Sequence, residues 1–420
     1  MFENLLNGKK ILLGVSASIS IYKSIELIRL FIKSGAEVRV VMSESAKKFI
    51  TPLTFETISM NKVLHSESES WDNDLNHIKI GLWADIFVIA PASANTIAKL
   101  SNAIADNLLL QTALAYPNEK ILCPAANTNM IKNPIITAAM KMLTLSNYTV
   151  MATQTKLLAC NTEGDGGLID IEDIFFQVSQ TLLKEDFWID RRVIVTGGGS
   201  IEKIDDVRYL SNFSSGKMAS SLALSLFFKG ADVNLISSKF PERLPKTMHQ
   251  IDVKESSEMK EYLIDSIRIA KKGKMTKPSL MTDANPELIQ KKPFVFMAAA
   301  VSDYIPSFPQ HGKIKKSDIG KRWSLELKEN EDLLLSINKD DIFTIGFKAE
   351  MDVKIGLNNA KSMLKNKGLD AVCFNLLKDE NSFGTDDNAI EFISKSAQTS
   401  LEKENKLGLS FKIIELCKSL

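Results

Sequence analysis

The chain opens the same way twice, and that repeat limits it to one class of fold. "KKILLGVSASISIYKSIELIRLFIKSGAEVRVVMS" reads as a strand (11–15), a turn of small residues and a helix carrying Ile21, Ile25, Leu27, Ile28, Leu30 and Phe31, then a stop at Gly35 and a strand (37–41). From 191, "RRVIVTGGGS" and later "KMASSLALSLFFKGADVNLISS" repeat the pattern, with a stop at Gly230 and a strand at 232–236. Each is a βαβ unit, so the expected fold is α/β, with two doubly wound Rossmann-like domains whose ligands lie beyond the carboxyl ends of the strands. "LLKEDFWIDRR" follows the last helix of the first half and predicts domains 1–187 and 188–420. With 420 residues, 45% of them hydrophobic, each half is long enough for its own core. The Lys-rich stretch 270–293 reads as a solvated surface insertion.

Composition removes several classes of function. A net charge of +1 leaves no global electrostatic footprint for nucleic acid. Cys123, Cys160, Cys373 and Cys417 are far apart and form no CxxC pair, which predicts a reducing, cytoplasmic setting without disulfides. The apolar run after Lys9 and Lys10 breaks into Gly and Ser after five residues and reads as a first strand rather than a leader. No run approaches the roughly 20 apolar residues of a membrane helix, so no membrane partner is expected.

The turns argue against a dinucleotide. GxGxxG from Gly14 would need glycines where Ser16 and Ile19 stand, and from Gly197 the pattern reaches Gly199 but then Glu202. No acidic residue closes the second strand of either half, and "SSGKMAS" has Met218 where a P-loop needs Ser or Thr. Ser16, Ser18 and Ser20 instead surround a helix N-terminus, where backbone N–H groups and hydroxyls suit the single phosphate of a mononucleotide.

Longer motifs carry a resemblance. "GVSASISIYK", "MSESAKKFITPLTFETIS", "HIKIGLWAD", "PASANTIAKLSNAIADNLL", "PAANTNM" and "LACNTEGDGGLID" resemble, in order, the homo-oligomeric flavin-containing cysteine decarboxylases. "VTGGGSIEKIDDVRYLSNFSSGKM", "AAAVSDY", "KIKK", "IGFKAE" and "FGTDDN" resemble the phosphopantothenate–cysteine ligases. Together the halves resemble the bifunctional phosphopantothenoylcysteine decarboxylase/phosphopantothenate–cysteine ligases of bacterial coenzyme A synthesis. The resemblance implies a flavodoxin-like flavoprotein domain followed by a nucleotide-binding ligase domain. Its implied partners are phosphopantothenate, cysteine and phosphopantothenoylcysteine, with FMN as cofactor, CTP as co-substrate and Mg²⁺. It also implies a homo-oligomer, a dodecamer of decarboxylase domains with dimeric ligase domains.

Site residues follow from the same motifs. His77 matches the decarboxylase histidine; its place before an apolar helix containing Ile78 and Leu82 would favour neutral imidazole. Gly14, Ser16, Ser18, Ser43, Ser93, Ala94, Asn95, Thr96 and Ala125 match the FMN site. Asn127 and Met130 match substrate contacts, while Ala126 and Ile131 depart from the family's Met and Trp. Cys160 matches the reactive cysteine, in a loop whose Gly164, Gly166 and Gly167 would let it close over substrate. In the ligase half, Asn212 matches the residue holding the acyl intermediate, Lys313 the triphosphate lysine, and Asp303 a nucleotide contact made directly or through the metal. Asp332, Leu333, Leu334, Phe347 and Lys367 match further CTP contacts, with Glu331 where the family commonly has Pro and Met363 where it often has Lys. Two other readings fit these residues less well. A nicotinamide-dependent two-domain oxidoreductase lacks its glycines, and a regulatory flavoprotein subunit would not need His77, Asn127, Cys160, Asn212 and Lys313 together.

Overall fold

A computed structural model describes the chain except Met1 and residues 158–162, 277, 279, 281–285, 316–319 and 377–383. It divides into two compact units, Met1–Leu183 with Thr276–Glu287, and Lys184–Met275 with Leu288–Leu420. Each unit is an α/β layered domain.

In the first unit β1 (Lys10–Val15), β2 (Glu37–Met42), β3 (Ile86–Ala92), β4 (Lys120–Pro124) and β5 (Tyr148–Val150) form a parallel sheet in the order β2-β1-β3-β4-β5. That is the flavodoxin-like order, with its switch point between β1 and β3. All seven residues of β3 are buried, as a central parallel strand covered on both faces requires. Helix α1 (Tyr22–Lys33) buries Ser24, Leu27, Ile28 and Phe31, one stripe at helical spacing. Helices α2 (Lys79–Trp83), α3 (Ala94–Ser101), α4 (Leu108–Ala115), α5 (Thr128–Ile131), α6 (Pro134–Leu145) and α7 (Ile171–Leu183) complete the layers. Leu12, Phe87, Ile89 and Leu122 of the sheet pack with Ile97, Leu109, Tyr116 and Leu143 in one core. A hairpin of β6 (Gln154–Leu157) and β7 (Glu163–Gly167) follows β5.

Among the described residues the main sheet of the second unit has eight strands: β8 (Arg192–Gly197), β9 (Asp232–Ser237), β10 (His249–Asp252), β11 (Phe294–Met297), β12 (Phe343–Glu350), β13 (Ala371–Leu376), β14 (Asp387–Ser394) and β15 (Gln398–Asn405). Their order is β10-β9-β8-β11-β12-β13-β14-β15, parallel as far as β13 and antiparallel for the last two pairings. The six parallel strands follow the dinucleotide-fold order, whose switch point lies between β8 and β11. Helix α8 (Lys217–Phe228) buries every residue from Ala219 to Phe228, because it is covered on both sides; Phe228 stacks on Phe411 of the C-terminal helix at 6.4 Å. Across the sheet, Met259, Leu263 and Ile267 of α9 (Ser256–Ala270) share a core with Ile194, Ile236 and Val295. Gly198 has φ 75°, and a Cβ there would come within 2.1 Å of Ser238 Oγ, so the turn after β8 requires glycine.

The stretch 270–293 departs from the expected solvated insertion. Lys274–Met275 pairs with Leu288–Ile289 inside the second unit, whereas Thr276–Glu287 groups with the first, where the Leu280 N–H donates to the Leu145 carbonyl at 2.9 Å. Part of this stretch lies outside the described residues.

Candidate functional sites

At the carboxyl edge of the first sheet, loops after β1, β2, β3 and β4 converge at the switch point. Ser16 is buried and its hydroxyl is spent as a weld: it donates to the Pro91 carbonyl at 2.8 Å and accepts the Ser93 N–H at 2.8 Å. Ser16 therefore fixes the spacing of two loops rather than offering a free hydroxyl. Ser18 caps the short helix Ile19–Ile21 by accepting the Ser20 N–H. Ser43 follows β2, anchored by its N–H to the Val15 carbonyl, and its hydroxyl has no hydrogen-bond partner among the described residues. Ser93 caps α3 through the Thr96 N–H and hydroxyl, Ala94 is buried, and Asn95 is exposed on the first turn. Gly14 lies in β1 itself, where a Cβ would approach the Phe87 ring at 2.9 Å, so its place is explained by strand packing.

His77 is held by a residue that sequence spacing does not reveal. Its Nδ1 lies 2.7 Å from Glu69 Oε1, both side chains are about four-fifths buried (21% and 23% exposed), and Trp71 meets the imidazole edge-on at 5.5 Å. An ionised carboxylate accepts only, so in the neutral imidazole this contact puts the hydrogen on Nδ1 and the lone pair on Nε2. The helix after His77 is held at its start by the fully buried Asn76, whose Oδ1 takes the Ile78 and Lys79 N–H groups at 3.2 and 2.9 Å. The helix buries Ile80 and Gly81, while Ile78, its N-cap residue, and Leu82 are exposed. The helix dipole is thus not the group nearest the imidazole.

After β4, the Ala125 N–H donates to Ala92 and the Ala126 N–H to Gly166, so the "PAANT" loop lies between β3 and β7. Asn127 is exposed and caps α5, Met130 is half exposed, and Ile131 is buried. The expected mobile glycines instead form strand β7. A Cβ on Gly166 would sit 1.8 Å from the Ala126 carbonyl oxygen, so glycine permits close backbone approach there, not loop freedom. Cys160 lies outside the described residues, between β6 and β7. Cys123, Cys373 and Cys417 are free, and burial pushes each thiol up, which suits inert packing groups.

The second unit has a cavity of about 930 Å³ at the carboxyl edge, around the switch point. The weld recurs there: Ala300 donates to the Gly198 carbonyl, and the Ser302 N–H donates to Ser200 Oγ at 3.0 Å, as Ser93 does to Ser16. Asn212 and Asp303 line the cavity, and the Asn212 amide donates to the Val301 carbonyl at 3.1 Å. Asp332 caps helix α10 (Leu333–Ser336) and pairs with Lys367 at 2.5 Å. Burial pushes the Asp332 carboxyl up, but Lys367 and the Leu335 and Leu334 N–H groups outweigh it and hold it below the usual carboxylate range. Leu333 and Leu334 are core residues that also form cavity wall, Phe347 is half-buried beside them, and Glu331 pairs with Lys260.

Helix α11 (Val353–Asn366) explains the departure at Met363. Asn359, Ser362, Met363 and Asn366 face the cavity at helical spacing, so Lys361 and Lys365, two positions to either side of Met363, turn away. Lys348 on β12 and Lys406, the first residue of α12 (Lys406–Leu416), line the cavity and went unnoticed in the sequence. Lys313 is exposed and is not part of the cavity wall. Among the described residues no cluster of three or more His, Cys, Asp or Glu could hold a metal ion, and no helix is long and apolar enough to cross a membrane.

Comparison with known proteins decides the family. Residues 188–420 match the DNA/pantothenate metabolism flavoprotein C-terminal domain, and residues 3–183 match the Flavoprotein family. The coenzyme A biosynthesis bifunctional protein CoaBC of Haemophilus influenzae is 33% identical over 413 residues, covering 97% of each chain. This chain belongs to the bifunctional coenzyme A biosynthesis proteins. The Bacillus subtilis member is 32% identical over 420 residues, covering 98% of this chain and 97% of its own. Among solved structures, the C-terminal domain of a CoaBC protein matches 56% of this chain and 97% of its own at 23% identity, with a TM-score of 0.42. Membership makes the chain a bifunctional enzyme with a flavoprotein decarboxylase half and a ligase half. It does not favour the oxidoreductase or regulatory-subunit readings.

Proposed function

We propose that the second unit couples phosphopantothenate to cysteine through an acyl-cytidylate made from CTP, and that the first decarboxylates the phosphopantothenoylcysteine product to phosphopantetheine with FMN. The observation that supports this reading is the welded switch point in each unit, with Ser18, Ser43, Ser93 and Asn127 on loops after the strands of the first sheet and Asn212 and Asp303 lining the cavity of the second. Domains 1–187 and 188–420 divide the two reactions, and the enzyme works in the cytoplasm as a homo-oligomer.

In the first unit the donor set suits a flavin mononucleotide. Ser43 offers a hydroxyl without a hydrogen-bond partner among the described residues, Ser18 and Asn95 stand at helix starts, and Ala94 and Ala125 keep the wall small. Bound FMN supplies the two-electron oxidation of the carbon bearing sulfur, and the later return of hydride, that let a carboxylate without its own electron sink lose CO₂. His77 takes the thiol proton at Nε2, the role its bond to Glu69 favours over orienting the carboxylate. Asn127 donates its amide N–H to the substrate carboxylate, Met130 packs beside it, and Cys160 protonates the enethiolate left by CO₂ loss.

In the second unit Asp303 on the cavity wall would hold Mg²⁺ together with phosphate oxygens of the nucleotide, since this ion usually takes only one or two carboxylates beside substrate phosphates. Lys313 and Lys367 neutralise the triphosphate, Phe347 with the 331–334 segment forms the nucleotide wall, and Asn212 holds the acyl intermediate. The test is pyrophosphate release with phosphopantothenate under matched CTP and ATP. CTP should support it at least about tenfold better, a difference of roughly 1.4 kcal/mol; equal turnover would overturn the nucleotide assignment.

A further inference from the structure

Lys313 sits outside the cavity wall, yet its backbone is gripped on both sides. The Gly312 N–H donates to Asp206 Oδ2 at 2.6 Å and the Ile314 N–H donates to Asp205 Oδ2 at 3.2 Å, so two consecutive carboxylates hold the residues flanking the lysine. The Asp206 N–H returns a bond to the Gly312 carbonyl at 3.2 Å, and Arg208 Nη2 donates to the Ile314 carbonyl at 3.0 Å. The grip is built from a rigid turn. Glu202–Lys203 pairs antiparallel with Tyr209–Leu210, and Asp205, only 2% exposed, takes the Val207 and Arg208 N–H groups on Oδ1 at 2.8 and 2.7 Å. Arg208 is itself fixed, 3.3 Å from Asp205 and 5.1 Å from the Trp323 ring centroid.

Asp205 Oδ1 closes the turn, whereas Asp205 Oδ2, which also faces Arg208 Nη1 at 3.3 Å, Asp206 Oδ2 and Arg208 Nη2 all bond a segment more than 100 residues away in sequence. The Lys313 ammonium meanwhile has no hydrogen-bond or ion-pair partner among the described residues. A flexible lysine on a fixed backbone keeps its reach but gives up most of the search that a free segment must make before it meets an anion.

We propose that Asp205 and Asp206 are positioning residues of the ligase reaction, a tether that holds the Lys313 backbone in register for its ammonium to meet the nucleotide triphosphate. The inference rests on the reading that Lys313 serves CTP. Asp206 is exposed, so Asp206→Ala should fold, while Asp206→Asn keeps an oxygen for the Gly312 N–H. In the full-length chain, Asp206→Ala should raise the rate of tryptic cleavage after Lys313 about fivefold or more and raise KM for CTP by a similar factor. CO₂ release from supplied phosphopantothenoylcysteine should not change. Asp206→Asn should restore both readouts to within about twofold of wild type, and Asp206→Ala should add no further loss of pyrophosphate release to Lys313→Ala. Unchanged cleavage in Asp206→Ala, or equal impairment of the Asn and Ala variants, would overturn the tether. Should Lys313→Ala alone retain full pyrophosphate release, the reading of Lys313 fails, and the cleavage rates still judge the tether by themselves.

Discussion

Glu69 shows how a residue eight positions from His77 can decide what the histidine does. The segment 66–74 contains Glu67, Glu69, Asp72 and Asp74, and only the folded backbone selects Glu69 to meet Nδ1. Glu69→Gln removes the charge that forces Nδ1 to donate, so anaerobic flavin reduction by phosphopantothenoylcysteine should slow by about 10- to 100-fold, the range for losing a group that orients a histidine. Substrate dissociation constants from the same stopped-flow traces should stay within about twofold; unchanged reduction would show that His77 needs no such partner. Cys160→Ser separates two proton transfers. A thiol titrates near ~8.5 and an alcohol far higher, so the variant should lose CO₂ at most about once per flavin, leave the flavin reduced without oxygen and accumulate an enethiol two hydrogens short of phosphopantetheine. His77→Asn should fail earlier, with oxidised flavin and no product. Mass spectra with anaerobic flavin spectra tell the two apart, and normal product at wild-type rate from Cys160→Ser would place the proton source elsewhere.

Strands and loops carry their own prediction through Gly166. A Cβ there would meet backbone 1.8 Å away, and neither strand β7 nor the Ala126 carbonyl can yield without parting the hairpin from the Asn127 loop. Gly166→Ala should destabilise the first unit by about 1–3 kcal/mol and weaken decarboxylation while pyrophosphate release persists; a wild-type melting temperature with normal CO₂ release would contradict it. At this scale the sequence was informative wherever periodicity governs. Helix α1 with its stop at Gly35 was legible as a patterned face, and the strands after Lys9 and Arg191 and helix α8 as apolar runs bounded by turn residues. The glycines at 164–167 were misread because mobility and close approach demand the same residue, and only the neighbour across the gap distinguishes them. Lys348 and Lys406 were silent for a related reason: a lone lysine on a strand or at a helix start is usually a solvated charge, and only topology brings these two to one cavity.

The whole molecule joins two doubly wound sheets of different strand order, 2-1-3-4-5 and then 3-2-1-4-5-6 with an antiparallel pair appended. Both weld the switch point through a serine hydroxyl and the N–H of another serine, Ser16 to Ser93 and Ser200 to Ser302. The repeated opening of the sequence announced the two sheets, but not that Thr276–Glu287, which interrupts the second half in sequence, would group with the first. On the proposed reading one chain carries out both reactions at separate sites. Its most direct test supplies the purified full-length chain with phosphopantothenate, cysteine and CTP, and measures pyrophosphate and CO₂ together. The account predicts equal amounts of each from the wild type, and from Lys313→Ala no pyrophosphate but normal CO₂ when phosphopantothenoylcysteine is supplied instead. Loss of CO₂ release from that folded variant, or pyrophosphate without CO₂ from the wild type, would contradict it.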